Sequence, residues 1–142
     1  AVALASSCGL RAGEIANARW SWIEGNMIRV QATHEWSPKD KAERSIPIPA
    51  HIAVRIDSVR TGDRLIAGRM ASVSERVMDW ARYLGWDRDK FLHELRKWFG
   101  AQVATQAGLY AAQKLLGHSS PDLTASYYAD LVDIPQIDVQ TV

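Results

Sequence analysis

The hydrophobic residues of this chain change period near Ala50, and that change limits the folds open to it. Upstream, two short stretches carry the marks of strands. Met27 to Ala32 has β-branched Ile28 and Val30, and Arg44 to Ile48 alternates through Ile46 and Ile48. A period of two suits a strand with one buried face. Between them, His34 to Glu43 is polar and holds Pro38, Lys39, Asp40 and Lys41, which reads as a long hairpin turn exposed to solvent. Downstream, helical spacing takes over. Ile52, Ile56 and Val59 make one stripe; Val73, Val77, Trp80, Ala81 and Leu84 make another; Leu92, Leu95, Phe99, Val103 and Gln106 mark a third helix that Gly108 stops. Tyr110 to Leu116 is a short helix closed by Gly117, and Pro121 opens a last one running to about Leu131. Before the strands, Gly9 ends an apolar segment and Arg11 to Arg19 reads as a short helix, followed by a turn at Glu24, Gly25 and Asn26. The expected fold is α+β, mainly α, with one small antiparallel sheet.

At 142 residues the chain suffices for one domain with a real core. A single cysteine excludes a disulfide framework and makes a reducing compartment the default. No apolar run approaches the roughly 18 residues needed to span a membrane, and no secretory leader is visible. The net charge of +1 permits nucleic-acid binding without arguing for it, since the 17 Lys and Arg could share one face. The chain starts without Met inside an apolar helix, which suggests a fragment of a longer protein.

Three local groups could handle a phosphate. Phosphoryl transfer needs cations at the phosphate, a nucleophile and a proton donor for the leaving oxygen. Arginine suits the first task, because its planar fork grips two oxygens and stays charged. Arg11 opens a helix, with Glu14 three residues on and able to hold it; alone, the pair reads as an ordinary surface ion pair. His93 and Arg96 share one helix face at the rim of the core, a spacing also common by chance. His118 follows the glycine-ended helix in LLGHSS, where it could equally be a capping or solvent-facing residue. The four histidines and one cysteine lack zinc-site spacing.

Taken together, these groups resemble the tyrosine recombinase family, which includes phage integrases and the Xer-type chromosome resolvases. The resemblance runs from Gly9 to about Asp130. GLRAGEIANARW looks like the first arginine box, HELR like the H-x-x-R box, and LLGHSS with a tyrosine nine residues after the histidine like the last box. KDKAERSIPIP resembles the hairpin that delivers the catalytic lysine. Glu94 stands where the family usually has Asp, and Trp98 where it often has a small hydroxyl residue.

The resemblance implies residues 1–142 to be a catalytic domain whose upstream DNA-binding domain is absent from the fragment. It implies Tyr127 as nucleophile, with Tyr128 its rival in position and the step from His118 selecting Tyr127. Arg11 and Arg96 would clamp the phosphate, with Glu14 in support; His118 would hydrogen-bond it, and His93 would manage the tyrosine's proton. Lys39, eight residues before Pro47, would protonate the departing 5′ oxygen, with Lys41 the alternative. No metal or other cofactor is implied. The partners would be double-stranded DNA and further copies of the protein, as dimer and tetramer, in the cytoplasm of a bacterium or archaeon or encoded by a phage or mobile element. The function so implied is site-specific recombination through a 3′-phosphotyrosine. A type IB topoisomerase shares the chemistry and a catalytically silent DNA-binding relative would share the fold; the complete residue set and the LLGHSS box favour a recombinase. His34 and His51 read as exposed, Cys8 as core, and the tryptophans as packing, although Trp36 in the hairpin could touch DNA. The tail from Asp133 to Val142, apolar but broken by Pro135, is expected to dock on a partner chain or fold back on its own domain.

Overall fold

The computed structural model describes residues 1–41 and 43–128, with side chains throughout except at positions 40, 123 and 126–128. The tail and the expected helix end at Leu131 lie outside the described residues.

Helix α1 (Val2–Cys8) ends on Gly9, whose φ of +61° turns the chain out of the helix. Helix α2 (Ala12–Asn17) opens at Arg11, where the Glu14 carboxylate reaches back to accept the Arg11 backbone N–H at 2.8 Å. The helix stops at Asn17, short of the expected Arg19. Residues 18–20 are drawn off into a bridge with a distant loop: Leu65 N–H donates to the Ala18 carbonyl and Trp20 N–H to that of Asp63. That pairing has no local sequence signal.

A short 3-10 turn (Trp20–Trp22) leads into strand β1 (Ile23–Glu24), which pairs antiparallel with β2 (Met27–Val30). Gly25, at φ +59°, supplies the positive φ that the two-residue turn between them needs. Strand β3 (Arg44–Pro47) pairs with β2 in the register Ile28↔Ile46 and Val30↔Arg44. The sheet order is β1-β2-β3. Both predicted strands are present; β1 is too short to show a period.

Ile28, Val30, Ile46 and Ile48 point from the sheet into a core shared with Leu4, Cys8, Leu10, Ile15 and Trp22. Each large apolar side chain sealed there contributes about 1.5–3 kcal/mol. Burial pushes the Cys8 thiol up to about 12, so it stays protonated as a packing group.

The helical part comprises α3 (Ala50–Asp57), α4 (Met70–Tyr83), α5 (Phe91–Ala107), α6 (Leu109–Leu116) and α7 (Pro121–Tyr128). Helix α5 packs on α1 and α6 and also touches α4 and α7. Three of the apolar residues assigned to helical stripes are exposed instead. Val59 (64%) follows the end of α3, Leu84 (60%) follows the end of α4, and Trp80 (47%) lies edge-on to Phe91. Trp98 is also exposed, whereas Trp20 and Trp22 are buried, so packing describes only part of the tryptophan set. Trp36 lies half-buried against Trp22, with ring centroids 5.8 Å apart, and anchors the hairpin. His34 and His51 are exposed, as expected.

Candidate active site

The site is built on the C-terminal end of α6. The last carbonyls of a helix have no partner within it and carry its partial negative charge. Gly117, at φ +64°, folds the chain back so that the His118 N–H donates to the Gln113 carbonyl and the Gly117 N–H to that of Lys114. The next three carbonyls each accept from a different arginine. Arg44 Nε donates to Leu115 at 2.6 Å, Arg96 Nη2 to Leu116 at 2.7 Å, and Arg11 Nη2 to Gly117 at 3.3 Å. Three segments remote in sequence are thereby pinned to one helix end. Arg96 Nη1 also donates to the Gly9 carbonyl, which ties α5 to the end of α1.

Glu14 lies at the centre of this group and is 1% exposed. Its carboxylate takes both Arg44 Nη atoms at 2.8 Å, a two-pronged ion pair. Arg11 Nη1 approaches the same carboxylate at 3.3 Å and Arg96 Nη1 at 3.9 Å. Burial alone would raise the Glu14 pKa, but hydrogen bonds and charge from Arg44, the Arg11 amide and the charge of Arg96 outweigh it. The net effect holds the carboxyl below its ordinary value. Among the described residues, three guanidiniums against one carboxylate leave an excess of positive charge, which suits a phosphate.

His118 completes the cluster. Its Nδ1 lies 3.0 Å from the hydroxyl of Thr124, a fully buried residue of α7. Burial and then the nearby Arg96, Arg11 and Arg44 charges pull its pKa down to about 4, so the ring is neutral at pH 7. His93 sits on α5, half-buried, and burial followed by the Lys97 charge also lowers its pKa. It lines a cleft of about 830 Å³ with Lys90, Glu94 and Lys97, reaching Ala12 beside Arg11. Glu94 pairs with Lys97 at 3.0 Å.

The structure thus brings together Arg11, Glu14, Arg96 and His118. Arg96 is 4% exposed, deeper than the rim position expected from its helix face. Lys39 stands exposed on a 3-10 turn (Lys39–Lys41) of the hairpin, and no hydrogen bond or ion pair among the described residues joins it to the arginines. Lys41 is exposed on the same turn. Tyr127 and Tyr128 end α7, one turn beyond Thr124, and their side chains lie outside the described residues. Sequence reasoning missed Arg44, which reads as an ordinary first residue of a strand. Its only clue is its place, five residues after Lys39 in the hairpin box.

Solved structures of similar fold are recombinases and integrases. A lambda integrase dimer bound to a COC′ core site matches with a TM-score of 0.75 at 21% identity, covering 98% of this chain and 44% of that one. The catalytic domain of bacteriophage HP1 integrase matches at 0.71 and 21%, covering 89% of this chain and 70% of that domain. The XerA recombinase matches at 0.66 and 20%, covering 88% of this chain and 49% of that one. The chain therefore spans about half the length of XerA and less than half of lambda integrase. At such identities the likeness speaks for the fold. No curated protein matches in sequence. The phage integrase family model, however, matches residues 1–133, and by that match, nearly end to end, the chain belongs to the phage integrase family.

Proposed function

We propose that residues 1–142 form the catalytic domain of a longer site-specific recombinase that cuts and rejoins DNA strands through a 3′-phosphotyrosine. The observation that carries this reading is the convergence of Arg11, Arg96 and His118 on one helix end, from segments that are separate in sequence. A phosphate docked there meets an excess of positive charge in a partly dehydrated setting, where it acts most strongly on a developing pentacoordinate transition state. Arg11 and Arg96 clamp the non-bridging oxygens. His118, held neutral by its lowered pKa, serves in this reading with Nδ1 accepting from the Thr124 hydroxyl and its proton on Nε2, the form suited to donating to a phosphate oxygen.

In this reading Tyr127 attacks the phosphorus. Its phenol, with an ordinary pKa of about 10, must shed a proton as the bond forms. His93, with its lowered pKa, is the base that receives it. The bond from phosphorus to the 5′ oxygen breaks, and Lys39, swinging in on the exposed hairpin, protonates that oxygen. The phosphotyrosine conserves the energy of the broken bond, so rejoining runs back along the same path and requires neither a nucleotide nor a metal. The substrate is duplex DNA. The solved neighbours include a lambda integrase tetramer bound to a Holliday junction and a transposon integrase in complex with circular intermediate DNA, which supports assembly of several copies on DNA.

The test is a nicked suicide substrate offered to the full-length protein containing this chain. A covalent adduct should form and map to Tyr127, and Tyr127→Phe should abolish it while leaving DNA binding intact. An adduct on Tyr128, or none, overturns the assignment.

A further inference from the structure

We propose that Arg44 is a positioning residue of the recombinase reaction, fixing where Arg11 and Arg96 stand by saturating the carboxylate they would otherwise collapse onto. The proposal rests on the function given above and adds a residue to it. The Arg44 side chain is as buried as that of Arg96, but its Nε and both Nη atoms all donate to Leu115 and Glu14, so it acts through those neighbours.

Among the described residues those neighbours are specific. Glu14 Oε1 takes Arg44 Nη1 at 2.8 Å and has Arg11 Nη1 at 3.3 Å. Oε2 takes Arg44 Nη2 and the Arg11 backbone N–H, each at 2.8 Å, and keeps Arg96 Nη1 at 3.9 Å, beyond hydrogen-bond length. Arg96 Nη1 and Nη2 donate instead to the Gly9 and Leu116 carbonyls. Remove Arg44, and a buried anion is left with its strongest partner gone and two guanidiniums close by. Both would be drawn inward, away from a phosphate. The Leu115 carbonyl would lose its donor at the same moment, loosening the helix end that carries Gly117 and His118.

Arg44 is also the first residue of β3, where it closes the hairpin that holds Lys39. One guanidinium thus links the lysine-bearing hairpin, the Glu14 helix and the His118 loop. Lysine in its place would keep the charge but offer a point contact in place of the aligned bonds to Leu115 and Glu14.

The experiment measures single-turnover formation of the covalent adduct at saturating suicide substrate by the full-length protein, beside its affinity for uncut DNA. Arg44→Ala should slow adduct formation at least tenfold and change DNA affinity by less than about threefold. Arg44→Lys should fall between it and the parent. The deciding readout is the pair with Glu14→Gln. If Arg44 acts mainly through Glu14, the double variant loses far less than the product of the two single losses; independent roles make the losses multiply. Multiplying losses, or a parental rate in Arg44→Ala, overturns the proposal. Should Arg44→Ala fail to fold, the same cycle is run with Arg44→Lys, which retains the buried charge. If the parent forms no adduct, the recombinase reading itself fails, and the two failures are thereby told apart.

Discussion

Gly9 is where backbone, core and site meet, and Gly9→Ala isolates their joint demand. The residue sits at φ +61°, where a side chain costs about 1–2 kcal/mol. A Cβ there would also lie 2.4 Å from Cδ1 and 2.7 Å from Cε1 of Phe99, with Leu116 Cδ2 at 3.2 Å. Phe99 packs against both groups of core residues, so it cannot yield without disturbing its neighbours; overpacking of this kind costs about 1–3 kcal/mol. The sum is about 2–5 kcal/mol, a large share of the roughly 5–15 kcal/mol that holds a domain together. Gly25 is the matched control. Its φ is +59°, yet a Cβ there meets nothing within 4 Å, so Gly25→Ala should show the backbone cost alone. Urea unfolding of the 142-residue chain measures both, with the slope checked for constancy. If Gly9→Ala loses no more stability than Gly25→Ala, the packing around Phe99 is looser than described and the reasoning fails.

Lys39→Ala should slow cleavage of ordinary DNA severely while cleaving a substrate with a 5′-bridging sulfur almost as well as the parent does, because that leaving group needs no proton. Rescue in Lys41→Ala instead would move the general acid by two residues. Stability should fall as pH drops from about 6.5 towards 4. The folded state holds His118 neutral down to about 4, while the unfolded chain protonates near 6.5 and is favoured in between. Glu14, with its lowered folded pKa, extends the same trend on further acidification, since the unfolded chain takes up its proton first. Urea midpoints across this range should drop less steeply for His118→Gln; an unchanged slope would exonerate His118. Cleavage should persist in excess EDTA, because cations, base and acid are all side chains; activity lost to EDTA and restored by magnesium would refute that.

The parts legible in the sequence were those set by local spacing. His93 and Arg96 share a helix face because they are three residues apart, and Gly117 announces its left-handed cap by being glycine. What escaped was set by distance along the chain. Arg44 acquires its meaning from Glu14, 30 residues upstream, and from a carbonyl 71 residues downstream. The early end of α2 comes from pairing between residues 18–20 and 63–65, which no window around Asn17 reveals. The exposure of Val59 and Leu84 follows from helix ends that fall one or two residues before them, and periodicity places such ends poorly. The pairing of Arg11 with Glu14 was visible; that Glu14 is buried and mainly serves another arginine was not.

The three carbonyls at the end of α6 receive guanidiniums from 106, 71 and 20 residues away. Contacts so non-local form only after long loops have closed, and they close late. Until the end of α6 and its Gly117 cap are formed and docked, three like charges have no reason to gather, and Coulomb repulsion keeps them apart. The gathering of these three guanidiniums is therefore a property of the completed fold. If the proposed reading holds, a partly unfolded chain would carry the same cations scattered, without the assembled centre that strand cleavage would require.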